Sequence, residues 1–159
     1  MMLRRHATLV ALLAAVAPLA ALASERLLAM PPCALCLWQR WPYWVAVALA
    51  ALAAGLRSRA LLALAGLAVL ASAGIAGLHA GVEQGWWPSP LASCTAPAVG
   101  TAASVDDLMR SLAPRPDKPC DAPAYLIPGL PVSMAVMNLA YALALGALAL
   151  HWSRGGTKG

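Results

Sequence analysis

Apolar residues run along this chain in long blocks rather than in alternation with polar ones. Four blocks stand out, roughly Ala7 to Ala23, Leu37 to Leu56, Ala60 to His79 and Val132 to Trp152. A helix needs about 20 predominantly apolar residues to cross the hydrocarbon of a bilayer, and each block falls within or near that length. Strands of a membrane barrel would show short alternating segments instead. The pattern predicts an all-α membrane protein, a single bundle of four transmembrane helices, with short connections except for one long loop at about residues 80–131.

Composition agrees with that reading. Of the 159 residues 62% are hydrophobic and 11% charged, and the mean hydropathy is +0.73. A soluble domain of this length carries about a quarter of its residues charged. The net charge of +5 is a statement about orientation rather than about nucleic acid. Lys and Arg are retained on the cytoplasmic side of a membrane. Arg4 and Arg5 precede the first block, Arg57 and Arg59 separate the second from the third, and Arg154 and Lys158 follow the fourth. The opposite side holds Arg26, Arg40, Arg110, Arg115 and Lys118 against all six acids. Both termini are therefore expected in the cytoplasm. The first block also resembles a secretory signal peptide, with basic residues before it and Ala21-Leu22-Ala23 after it. Its uninterrupted run exceeds the roughly 7 to 15 residues of a signal core, which favours a retained helix.

With that orientation Cys33, Cys36, Cys94 and Cys120 all face the outer, oxidising side, where disulfide chemistry is permitted. Cys33 and Cys36 lie in PPCALCLWQRWPY, residues 31–43, at the start of the second block. Pro31 and Pro32 fit the first turn of a helix, where a missing NH does no harm. A dithiol at a helix start has its thiolate stabilised by unpaired amides and the helix dipole. Cys33, Cys36 and Arg40 then follow at i, i+3 and i+7, placing a guanidinium beside the thiols. Arg40 can also be read as part of an interfacial belt with Trp38, Trp41, Tyr43 and Trp44. Its place beside a dithiol favours a polar ligand or a thiolate as its partner.

The loop is rich in proline and carries the other two cysteines, Cys94 and Cys120. Within it Ser104 to Leu112 predicts a short helix, since Ser104 and Asp107 have capping-box spacing and Val105, Leu108, Met109 and Leu112 share a side. A zinc site is disfavoured, because only one cysteine pair is a CxxC and no histidine lies near the other. Structural disulfides are a stronger rival, although a CxxC bridge closes too small a loop to constrain much. Three smaller expectations follow. His79 and Glu83, at i and i+4, form a mutual hydrogen bond in preference to a proton path; Asn138 makes an interhelical hydrogen bond; and Gly77 with Gly81 forms a close-packing notch.

Taken together, the CxxC opening the second block, the arginine four residues after Cys36, Pro88-Ser89-Pro90 ahead of Cys94, the segment Cys120 to Leu130 and the final block resemble the bacterial disulfide bond formation protein B (DsbB) family. Relatives of vitamin K epoxide reductase share these parts in another order, with the loop pair before the CxxC. The resemblance implies an inner-membrane enzyme that reoxidises the periplasmic dithiol oxidase DsbA and passes electrons to a membrane quinone, ubiquinone or menaquinone. It implies that Cys94 exchanges with DsbA, that Cys120 is its loop partner, that Cys33 and Cys36 form the quinone-proximal disulfide, and that Arg40 faces the quinone. A non-catalytic subunit with structural disulfides and a quinone-linked thiol reductase are the alternatives.

Overall fold

A computed structural model describes residues 1–91, 94, 105, 118–127 and 129–155. Among these residues the regular structure is helical: α1 Met2–Leu27, α2 Ala34–Trp38, α3 Arg40–Leu56, α4 Arg59–Glu83 and α5 Met134–Arg154. Three of them, α1, α4 and α5, are long and apolar enough to cross a membrane. The helix predicted over Ser104 to Leu112 lies outside the described residues, Val105 apart.

The second predicted block is not one helix. It breaks at Gln39 into the single turn of α2 and the 17 residues of α3, which rise about 25 Å against a hydrocarbon core of roughly 30 Å. Pro42 supplies the reason. It has no NH to give to the carbonyl of Trp38 four residues earlier, and its ring crowds that carbonyl. Pro31 and Pro32 also differ from expectation, since they precede the helix instead of forming its first turn. Cys33 is itself the N-cap of α2, in extended backbone, and its sulfur accepts the Cys36 amide at 3.1 Å. Ser58 and Ser133 cap α4 and α5 through their hydroxyls in the same way.

The helices close into a ring in which α1 packs on α3, α3 on α4, α4 on α5, and α5 returns to α1. The return is fixed by Tyr141, whose hydroxyl donates to the Leu13 carbonyl at 2.8 Å, and by stacking of His6 on Trp152. The shared core is built of small residues, among them Ala7, Ala14, Ala46, Ala50, Ala65 and Ala142, with Val10, Tyr43 and Leu62 filling the centre. Helices that cannot rely on water to press them together gain from such close approach. Large side chains such as Leu12, Leu19, Leu52 and Leu67 lie on the outside, where lipid solvates them.

The tightest approach is between α4 and α5. A Cβ at Gly66 would lie 3.2 Å from the Gly146 carbonyl, and one at Gly146 would lie 2.6 Å from Leu70. The predicted notch at Gly77 and Gly81 is different. A Cβ at Gly77 would touch only Leu139 at 3.8 Å, while one at Gly81 would land on the indole of Trp87. Gly81 thus seats a side chain of the following loop, held there by the Trp87 indole NH donating to the Leu78 carbonyl at 2.9 Å.

Candidate functional site

All four cysteines meet at one end of the bundle. Cys33, Cys94 and Cys120 are buried in a cluster with Leu35 and Val82, and Cys36 packs against it. Cys94 and Cys120 are joined in a disulfide with Cα atoms 4.9 Å apart, whereas Cys33 and Cys36 are free thiols. Backbone hydrogen bonds bring the two pairs together: the Lys118 amide donates to the Pro32 carbonyl, and the Cys120 amide to the Cys94 carbonyl, both at 3.4 Å.

The two free thiols are unequal. The hydrogen bond from Cys33 holds Cys36 down to about 7, with help from the Arg40 charge and against the effect of burial and of Glu83. Cys33 is pushed far up, by that same hydrogen bond and by its burial. One proton shared by two sulfurs therefore rests on Cys33 and leaves Cys36 as the thiolate.

Beside the cluster is a cavity of about 350 Å³, walled by α1, α3, α4 and α5. Ala17, Ala20, Ala21, Met134 and Met137 make much of its wall apolar, and Cys33, Cys36, Gln39, Arg40, His79 and Glu83 bring polar groups to it. Arg40 forms an ion pair with Glu25 of α1 through one terminal nitrogen. Its Nε is buried and has no hydrogen-bond partner among the described residues. The residue also lines the cavity, so its charge lies at the cavity wall.

Other polar residues in this region were only partly legible. Asn138 makes the expected interhelical bond, and more than one: its Nδ2 donates to Gln39 Oε1 at 2.6 Å and its Oδ1 accepts from the Tyr43 hydroxyl at 2.7 Å. Tyr43 is accordingly buried in the core, and not a member of the interfacial belt. The predicted bond between His79 and Glu83 is not formed, their nearest atoms being 3.8 Å apart. His79 instead places Nε2 3.5 Å from Cys33 Sγ and Nδ1 2.9 Å from Gln39 Nε2, while Glu83 accepts from Ser133. Both ring nitrogens of His79 thus face protein partners, although the ring and the two thiol sulfurs, lying within 4.8 Å of one another, are groups of the kind that bind soft metals. Glu25, Gln39 and Ser72 gave no signal in the sequence, since nothing in a lone polar residue says which helix it will meet.

A helical bundle with three membrane-length helices, a reduced dithiol and an adjoining disulfide defines the class: a small membrane thiol–disulfide protein. Residues 3–152 match the family model for the disulfide bond formation protein DsbB, and the chain belongs to that family. Comparison with the curated proteins and with the solved structures gives no match. The protein is a disulfide bond formation membrane protein.

Proposed function

We propose that this protein reoxidises a DsbA-type periplasmic dithiol oxidase and delivers the electron pair to a membrane quinone. The observation that carries the reading is an apolar-walled cavity lined by both Cys36 and Arg40. In this reading α3 makes the remaining crossing with α2 at its outer end, both termini are cytoplasmic, and the cysteines face the periplasm.

The exchange steps balance with the residues at hand. A thiolate of the soluble partner attacks Cys94, forming a mixed disulfide and releasing Cys120 as a thiolate. The second thiolate of the partner then resolves the mixed disulfide, or Cys120 passes its pair inward first by attacking the Cys33–Cys36 disulfide at Cys33. The bond to Cys36 breaks, and Cys36 leaves as the thiolate its surroundings favour; Cys94, freed as a thiolate when the partner resolves its mixed disulfide, then attacks Cys120, re-forms the loop disulfide and releases Cys33 as a thiol. Thiol exchange prefers a leaving group of low pKa, and Cys36 is the better one of its pair.

Apolar walls from α1 and α5 would hold the quinone ring, and Arg40 would donate to a carbonyl oxygen. When bound, the quinone supplies a two-electron acceptor. Glu25 keeps the guanidinium at the cavity edge, and Cys36 presents its sulfur to the same space.

Purified protein mixed with reduced DsbA and quinone tests this directly. One quinone reduced per DsbA disulfide formed is expected. No quinone reduction would point to a non-catalytic subunit, and electron flow from quinol to DsbA would point to a reductase.

A further inference from the structure

His79 touches the dithiol but takes no part in the steps above. The direction of its hydrogen bonds can be worked out from the partners that have no choice. The Ser72 hydroxyl lies 2.8 Å from the main-chain carbonyl of Gln39, which can only accept, so Ser72 donates its hydrogen there. Its oxygen, 3.4 Å from Asn138, is then left to accept, and the group facing it must be the Asn138 amide nitrogen. That orientation turns Asn138 Oδ1 to the Tyr43 hydroxyl and aims Nδ2 also at Gln39. Gln39 must meet an amide donor with Oε1, so its own NH₂ faces His79. A donor at 2.9 Å requires a lone pair on Nδ1. The neutral ring therefore carries its hydrogen on Nε2, pointing at Cys33 Sγ. Ser72, His79 and Gln39 are buried, and each ring nitrogen of His79 already faces a protein partner.

We propose that the chain Tyr43, Asn138, Gln39 holds His79 in its Nε2–H tautomer, so that the ring donates to Cys33 and cannot take its proton; a donated hydrogen bond eases ionisation of that sulfur less than an imidazolium beside it would, and the anion of the pair forms on Cys36. Gln39 and Asn138 are positioning residues in this scheme. The reverse tautomer would present a basic nitrogen to the Cys33 thiol, and a cysteine beside such a base gives up its proton to form a thiolate and an imidazolium. Two sulfurs so close do not both ionise, so a base on Cys33 would move the thiolate from Cys36 to Cys33. The other charged groups lining the site are Glu25 on α1, Arg40 on α3, Glu83 on α4 and Lys118 before α5. None of them stands between the ring and Cys33 at hydrogen-bond distance; Glu83 approaches Nε2 no closer than 3.8 Å.

The inference deepens the reading of Cys33 and Cys36 as an exchanging pair, and its test needs neither quinone nor DsbA, so either idea can fail alone. Full-length reduced protein in detergent, labelled with nitrogen-15 in histidine, reports the tautomer by NMR, and His79→Asn identifies the signal. Mass spectrometry after limited alkylation reports the relative reactivity of Cys33 and Cys36. Wild type is expected to show Nε2–H and faster modification of Cys36. Gln39→Glu offers an acceptor to Nδ1 and is expected to invert the tautomer and to raise the Cys33 to Cys36 ratio about tenfold, the change that one unit of relative pKa produces. Gln39→Met removes both arms of the link and is expected to yield a mixture of tautomers with a smaller rise. An Nδ1–H ring in wild type overturns the proposal. So does the wild-type tautomer persisting in both variants, or a changed tautomer with an unchanged reactivity ratio.

Discussion

Arg40 can be read two ways from sequence, and its surroundings in the fold bear on the choice. Beside a CxxC at the mouth of an apolar block it fits an interfacial anchor as well as a ligand contact. In the fold its charge is partnered by Glu25 and the residue lines the cavity that Cys36 also lines. Replacing it by leucine keeps the wall apolar and removes the donor. Arg40→Leu is expected to lower quinone turnover by about 100-fold, the scale of one lost donor to a developing negative charge, while disulfide exchange with DsbA falls less than threefold. Equal loss in both assays would count against the assignment. A second consequence concerns pH. Because Cys36 is held down to about 7, its alkylation rate is expected to rise across pH 6 to 8 and level off above, since thiolate accumulates as pH passes the pKa. Arg40→Leu removes one of the lowering influences, so the same curve should move to higher pH; a curve that stays in place would show that the arginine charge does not reach the sulfur.

Among elements, the long helices were legible because lipid imposes one rule on every residue of a span, and a window average reads that rule directly. The break at Gln39 was not, although its cause is printed in the sequence at Pro42. The helix ends where the carbonyl of Trp38 loses its donor, four residues ahead of the proline that a hydropathy window passes over. Helix contacts were less legible still. Gly66, Gly77, Gly81 and Gly146 look alike in an Ala- and Leu-rich block, yet only Gly66 and Gly146 lie where two helix backbones nearly touch. Asn138 was recognisable as an interhelical bond from its chemistry, but its partners Gln39 and Tyr43 depend on helix rotation. The distinction among the glycines has a measurable result. Gly66→Val pushes a side chain against the Gly146 carbonyl, which belongs to a packed backbone and cannot move aside. A loss of about 1–3 kcal/mol is expected, read as a lower midpoint of unfolding in detergent. Gly74→Val, where a Cβ would meet nothing within 4 Å, should leave that midpoint nearly unchanged. Similar shifts in both would mean that valine itself, and not the contact, is the cause.

On the scale of the whole molecule, the two cysteine pairs come from opposite ends of the chain's logic: one is built into a helix start, the other lies in the segment before α5. Family resemblance assigns them to a relay, and the fold puts them in contact through a few backbone bonds. The tether at Lys118 and Pro32 joins the segment before Cys120 to the segment before Cys33 and carries Cys120 to the buried cluster. His79 lies 3.5 Å from Cys33 Sγ. Both loop cysteines share the cluster with Cys33, but the backbone bond to the Cys33 segment comes from Lys118, two residues before Cys120. If electrons pass between the pairs by that route, a variant keeping only Cys33 and Cys120, made as Cys36→Ser/Cys94→Ser, should close an intramolecular disulfide under mild oxidation. The variant keeping Cys33 and Cys94, made as Cys36→Ser/Cys120→Ser, should close one at least about tenfold more slowly, because sulfurs misplaced by an ångström or more lose that much of their proximity advantage. Free-thiol counts and intact mass over time distinguish the two, since closure removes both thiols and two hydrogens. Faster closure between Cys33 and Cys94 would reverse the order of the relay, making Cys94 the inner member of the loop pair and Cys120 the one that meets the soluble partner.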